Sequence, residues 1–105
     1  MRLRWVHANE ALPDPADALD EPSGLLCAGM DLSAPRLIEA YEAGIFPWYS
    51  EGQPVLWWSP DPRMVLFCDE FRFHRSLKKR SRVLMRDKAW SLRLNKDFPA
   101  VMRAC

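Results

Sequence analysis

The sequence predicts an α+β fold, and three features of its 105 residues support this class. A capped amphipathic helix is encoded between residues 31 and 46. Apolar runs of strand length follow at residues 55–58 and 64–68. A further run at residues 90–94 alternates apolar and polar residues, as a half-buried strand does. A chain of this length can bury a modest hydrophobic core.

The predicted helix, DLSAPRLIEAYEAGIF, carries both start and stop signals. Ser33 is expected to cap it, Pro35 suits its first turn, and Gly44 is placed to end it. Its spacing predicts an apolar stripe on one side and charged residues facing outwards on the other. The stripe consists of Leu37, Ile38, Tyr41 and Ile45, and the outward face carries Glu39 and Glu42.

Two strands are predicted where VLWW (55–58) and MVLFC (64–68) flank the segment SPDPR, whose prolines favour a tight turn. WSLRL (90–94) is predicted as a half-buried strand. The basic segment HRSLKKRSR (74–82) predicts one or two helical turns. The acidic, proline-containing segment 8–23 is expected to be an extended surface loop.

The last ten residues, KDFPAVMRAC, resemble the opening of a helix. Asp97 is its expected cap, Pro99 fits its first turn, and Val101, Met102 and Cys105 follow at helical spacing. Because this apolar face begins close to the last residue, the sequence is expected to be a piece cut from a longer protein.

Composition excludes several classes of protein. No apolar run approaches the roughly 20 residues that cross a bilayer, so no membrane partner is expected. Three widely spaced cysteines (Cys27, Cys68 and Cys105) argue against a disulfide framework or a zinc site and favour a reducing, cytoplasmic location. His7 and His74 offer no metal-ligand spacing, and no metal or other cofactor is expected.

Charge is divided unequally along the chain. Residues 1–62 hold three basic against ten acidic residues, a net charge of −7. Residues 63–105 hold twelve basic against four acidic residues, a net charge of +8. This division indicates an anionic partner for the second half, nucleic acid above all. A basic face that is merely solvated is the alternative.

Several motifs, taken together, resemble the N-terminal region of leucyl/phenylalanyl-tRNA–protein transferases. These motifs are DLS (31–33), PRLIEAY (35–41), GIFPWYS (44–50), LWWSPDPR (56–63) and RSLKK (75–79). The resemblance implies a small N-terminal α/β domain over residues 1–62. Residues 63–105 would then begin a GNAT-like (acetyltransferase-type) domain that is incomplete here.

The resemblance also implies a reaction. Enzymes of this family transfer leucine, phenylalanine or sometimes methionine from aminoacyl-tRNA to proteins with an N-terminal Lys or Arg, which marks these proteins for degradation in bacteria. The tRNA ester already stores the driving force, so the protein mainly positions two reactants. The implied partners are therefore aminoacyl-tRNA and a protein substrate, and a monomer is expected. The catalytic residues are expected outside these 105 residues, so the isolated chain is expected to be inactive.

Two groups of candidate site residues follow from the resemblance. Trp48 in the GIFPWYS motif is expected at the pocket for the aminoacyl end of the tRNA, with a core tryptophan as the alternative. Phe46, Tyr49, Trp57 and Trp58 are expected to be packing residues. The expected tRNA-binding residues are Arg75, Lys78, Lys79, Arg80 and Arg82, which Arg86 would extend.

Two matters stay open on the sequence. The family usually has a glycine where this chain has Met30, and methionine would be strained there if the position requires a positive φ. A separate RNA-binding module that uses the basic second half, or a remnant without function, are the alternatives to a transferase.

Overall fold

A computed structural model describes residues 2–105, and the chain forms two compact units, Met1–Met64 and Val65–Cys105. The predicted α+β class is confirmed, since the described residues form one four-stranded mixed sheet and three α-helices. The strands are β1 (Arg4–Val6), β2 (Leu25–Gly29), β3 (Phe46–Pro47) and β4 (Val55–Trp58). The helices are α1 (Ala34–Glu42), α2 (Arg75–Arg86) and α3 (Phe98–Ala104). Short 3-10 helices span Pro15–Asp17 and Cys68–Glu70.

The sheet lies wholly in the first unit and has the strand order β1-β2-β4-β3. β1 runs parallel to β2, whereas β4 is antiparallel to both of its neighbours. The central strand β2 is buried along its length, which explains its continuous apolar sequence LLCAG. The prediction of a strand at β4 is confirmed: Val55 and Trp57 are buried, and Leu56 and Trp58 on the other face are half-buried.

The hydrophobic core of the first unit lies between α1 and the sheet. Trp57 is its largest side chain and is 1% exposed. Helix α1 contributes Ala40, whose small side chain allows the helix to approach the strands closely. The complete buried cluster is Val6, Leu26, Cys27, Ala40, Ile45, Val55 and Trp57.

The ends of α1 match the prediction, but its buried face does not. The Ser33 hydroxyl accepts the Arg36 N–H at 3.4 Å, and Gly44 follows the helix with φ of +74°. The predicted stripe is wrong in part, because Ile38 and Tyr41 are 60% and 62% exposed. The face turned inwards instead carries Ala40 and the charged Arg36. Burial of an arginine here requires polar partners, which the loop after β1 and two carboxylates near the start of α1 provide.

Two predicted strands are wrong. Residues 64–68 and 90–94 form no strand, and the large apolar side chains in both segments are exposed. A strand needs a neighbour to pair its backbone N–H and C=O groups, and within the described residues all four paired strands lie before residue 59. An alternating sequence therefore does not suffice to make a strand.

The helices of the second unit are closer to prediction. α2 begins at Arg75 as expected but continues to Arg86, so it is longer than one or two turns. α3 is confirmed, and its cap Asp97 accepts the Ala100 N–H at 3.2 Å. Segment 8–23 is less extended than predicted, because it includes a 3-10 turn. Met30 is 72% exposed and is not among the residues with positive φ, so the suspected strain is not observed.

Candidate functional site

Trp48 lies directly after β3, with its backbone fixed and its side chain open to solvent. Its N–H donates to the Leu56 carbonyl at 2.9 Å, and its own carbonyl accepts the Trp58 Nε1–H at 2.7 Å. Pro47 precedes it and has a fixed φ. The indole is nevertheless 74% exposed, so Trp48 is not a core tryptophan. The hairpin between β3 and β4 thus holds a broad apolar ring and one N–H donor at the surface.

Three other aromatic residues of this region lie in the core or on the opposite face of the sheet, whereas Tyr49, which was expected to be a packing residue, is 40% exposed. Trp57 points into the core, whereas Trp58 is half-buried on the other face, directly opposite Phe46 in the ladder. The Arg63 guanidinium lies over the Phe46 ring, 5.9 Å from its centroid. Because these residues are packed and Trp48 is not, Trp48 is the aromatic side chain of this hairpin most accessible to a ligand.

Helix α2 in the second unit carries a strongly cationic face. Arg75, Lys78, Lys79 and Arg82 recur at helical spacing and, with Val83, line a groove of about 360 Å³. Within residues 2–105 these four side chains make no ion pair, whereas Arg86 pairs with Asp87 at 3.1 Å. Four unpaired positive charges around one groove favour an anionic ligand.

Arg80 is the predicted tRNA-binding residue that does not line this groove. At 100° per residue it projects well away from Lys79 and Arg82, on the side of Leu77 and Leu84. The structure therefore brings four of the five predicted basic residues together and separates the fifth. Helical periodicity alone predicts this separation, since Arg75, Lys78, Lys79 and Arg82 fall on adjacent rows of a helix and Arg80 does not.

The sequence does not predict a buried ionic cluster that the structure shows at the start of α1. The Arg36 side chain is 4% exposed and pairs with Glu39 at 2.8 Å and Asp31 at 3.5 Å. It also donates to the carbonyls of His7 and Ala8, at 2.9 and 3.3 Å. The only available signal was a single arginine in an otherwise acidic region.

The same cluster ties the loop before β2 to the helix. Glu39 was predicted to face outwards, but one of its carboxylate oxygens accepts the Leu12 N–H at 2.8 Å. The pKa of Asp31 is lowered, mainly because its carboxylate accepts the Ser33 backbone N–H, with the Ser33 hydroxyl and Arg36 adding smaller effects. Arg36 thus has both carboxylates and two backbone carbonyls as partners within the cluster, which indicates a structural role for it.

The described part of the chain has few side chains that could act in catalysis. Burial raises the pKa of the Cys27 thiol to about 11, so this thiol is not a nucleophile near neutral pH. Residues 2–105 contain no group of three or more His, Cys, Asp or Glu side chains arranged to hold a metal ion. No helix within these residues is long and apolar enough to cross a membrane.

The part of the chain that contains this hairpin matches a known family model. Residues 30–61 match the sequence model described as the leucyl/phenylalanyl-tRNA protein transferase N-terminal domain. The resemblance to leucyl/phenylalanyl-tRNA–protein transferases is confirmed. The matched residues include α1 and the whole β3–β4 hairpin with Trp48.

Curated relatives extend the similarity to α2 and α3. The leucyl/phenylalanyl-tRNA–protein transferase of Paraburkholderia phymatum is 54% identical over 104 residues, which cover 96% of this chain and 42% of the relative. That of Janthinobacterium sp. (strain Marseille) is 50% identical over 111 residues, 98% of this chain and 46% of the relative. That of Pseudomonas fluorescens (strain Pf0-1) is 54% identical, over 98% of this chain and 44% of the relative. The chain therefore spans less than half the length of these relatives.

Proposed function

We propose that this chain is part of an aminoacyltransferase that moves leucine, phenylalanine or methionine from aminoacyl-tRNA to proteins beginning with Lys or Arg. The observation that carries the proposal is the 54% identity over 104 residues to a transferase of that name. In this proposal the modified proteins are marked for degradation, the protein is a cytoplasmic monomer, and neither metal nor cofactor takes part. Residues 1–62 form a small N-terminal domain, and residues 63–105 begin a GNAT-like domain.

The Trp48 indole supports the part of the proposal that concerns binding of the aminoacyl end of the tRNA. Its exposed ring offers a flat apolar wall for an adenine base or for a leucyl or phenylalanyl side chain, and its N–H offers one polar contact. Since its backbone is already fixed, only the two side-chain torsions need ordering when a ligand binds. Aminoacyl transfer benefits directly from such positioning, because the ester needs no further activation.

The cationic face of α2 supports the part of the proposal that concerns binding of the tRNA backbone. Arg75, Lys78, Lys79 and Arg82 surround one groove and can neutralise phosphates without reading base sequence. Recognition of this kind suits an enzyme that accepts tRNAs of more than one amino acid. Arg80 lies outside this groove, and we propose that it contributes little to phosphate binding.

A separate RNA-binding module is the second candidate function, and the four unpaired cations of α2 are the observation that favours it. The two functions differ in what the first unit contributes. A module would use α2 alone, whereas a transferase also needs Trp48 at the aminoacyl end.

A chimera distinguishes these two candidates. The 105 residues would replace the matching segment of the Paraburkholderia phymatum transferase, and transfer of phenylalanine from tRNA to a peptide beginning with Arg would be measured. We expect the chimera to transfer and its Trp48→Ala variant to lose most of this activity. The isolated 105-residue chain should bind tRNA without transferring. A folded chimera that binds tRNA but transfers nothing would favour the module.

The groove is tested separately by the salt dependence of tRNA binding to the 105-residue chain. Lys79→Ala combined with Arg82→Ala should reduce the slope of log K against log salt by about 1 to 2, because each phosphate contact contributes roughly 1. Arg80→Ala combined with Arg103→Ala removes the same charge outside the groove and should change the slope less. Equal changes in both double variants would show that net charge, rather than the groove, determines binding.

A further inference from the structure

The indole N–H of Trp58 makes a hydrogen bond that the strand ladder does not provide. β3 ends at Pro47, which lies opposite Trp57 in β4. The N–H of the next residue, Trp48, still donates to a backbone carbonyl of β4, that of Leu56, at 2.9 Å. Its own carbonyl is bound by a side chain instead, the Trp58 Nε1–H at 2.7 Å. Both backbone polar groups of Trp48 are therefore held by the same strand.

The donor in this bond is itself well fixed. Trp58 is the last residue of β4 and lies between β2 and β3, opposite Leu25 on one side and Phe46 on the other. Its side chain is half-buried, and the residue lies directly opposite Phe46 in the ladder. An indole has only two side-chain torsions and one N–H, so packing of the ring also fixes the direction of its donor.

We propose that Trp58 is a positioning residue for Trp48. Its N–H holds the Trp48 carbonyl, and through it the peptide that follows, so the Cα–Cβ bond that carries the exposed Trp48 indole keeps one direction. This inference rests on the proposed function, in which Trp48 contacts the aminoacyl end of the tRNA. Trp58 thus acts on the ligand only through Trp48, which distinguishes it from Trp57, a purely core residue.

Trp58→Phe tests the inference because it keeps an aromatic ring opposite Phe46 and removes only the donor. Trp5→Phe, at a partly exposed tryptophan in β1, is the matched control. In nitrogen-15 relaxation of the 105-residue chain, the order parameter of the Tyr49 amide should fall from about 0.85 towards about 0.6 in Trp58→Phe, because this N–H belongs to the peptide whose carbonyl Trp58 holds. It should not change in the control. An unchanged Tyr49 order parameter in folded Trp58→Phe overturns the inference.

Ligand binding provides the second readout. The probe is 3′-amino-3′-deoxyadenosine carrying phenylalanine through an amide, a stable analogue of the aminoacyl end. Loss of one hydrogen bond that pre-orders the site should weaken its binding about twofold to tenfold in Trp58→Phe, and not in Trp5→Phe. If the unmodified chain does not bind the probe while the Tyr49 amide loses order in Trp58→Phe, the proposed contact with the aminoacyl end fails and the positioning role stands.

A measurement on the unmodified protein applies even if Trp58→Phe does not fold. Hydrogen exchange at the indole N–H groups should be at least about tenfold slower at Trp58 than at the exposed Trp48, because exchange requires the hydrogen bond to open. Equal exchange rates at the two indoles would show that the bond is not maintained in solution and would overturn the inference.

Discussion

Replacing Arg36 by alanine should destabilise the first unit strongly. The Arg36 guanidinium donates to the carbonyls of His7 and Ala8 and to the Glu39 carboxylate, and its side chain is only 4% exposed. Alanine would leave these acceptors without their donor and would place the Asp31 and Glu39 carboxylates near each other without a cation. The segment of residues 7–12 would also lose its main attachment to α1.

The expected magnitude follows from this geometry. Breaking a buried ion pair by removing one partner costs about 3–5 kcal/mol. The Asp31 and Glu39 side chains are 23% and 41% exposed, so both carboxylates can regain water after the substitution. We therefore expect the lower end of the range, a loss of about 3 kcal/mol in the free energy of unfolding. Arg36→Lys keeps the charge but not the planar set of donors, so its free energy of unfolding should lie between those of the unmodified protein and Arg36→Ala.

Urea unfolding followed by tryptophan fluorescence measures this loss, since four of the five tryptophans lie in the first unit. Arg4→Ala is the control, because Arg4 is 57% exposed and its pair with Glu10 spans 3.9 Å. Such an exposed pair contributes between about 0 and 1 kcal/mol. The reasoning would be refuted if Arg36→Ala lost less than about 1 kcal/mol, or no more than Arg4→Ala.

Two further predictions concern buried positions of the first unit. Because burial raises the pKa of Cys27 to about 11, the folded protein keeps a proton that the unfolded chain loses near pH 9.0. The free energy of unfolding should therefore fall as the pH rises from 9.0 towards 11. Urea unfolding of Cys27→Ala should not show this pH dependence. At pH 8, a thiol reagent should modify the exposed Cys68 and leave Cys27 intact, and rapid modification of both would contradict the burial. In the same unfolding assay, Gly24→Ala should lower the free energy of unfolding more than Gly52→Ala does. Both glycines have a positive φ, but only at Gly24 would the new Cβ lie 2.6 Å from a backbone atom of Pro60. Gly52→Ala faces open space and should cost about 1–2 kcal/mol, so equal losses would contradict the predicted clash.

Local signals in the sequence determined the helix ends. Ser33 and Asp97 cap α1 and α3, and each accepts an N–H three residues ahead in the chain. Gly44 ends α1 because a left-handed residue is needed there. These interactions connect residues within four or five positions, so the sequence encodes them without knowledge of the fold. The motifs around Trp48 likewise carry the resemblance to leucyl/phenylalanyl-tRNA–protein transferases by their residues alone.

Only the tertiary structure decided which side chains are buried and which strands exist. The alternating segment 90–94 forms no strand, because pairing depends on a neighbour that the described part of the second unit does not supply. Arg36 is buried in place of Tyr41, because carbonyls about 28 positions earlier satisfy its donors. The bond from Trp58 to Trp48 depends on the register of two strands. Each outcome is set by residues distant in sequence, and periodicity within one segment carries no information about such residues.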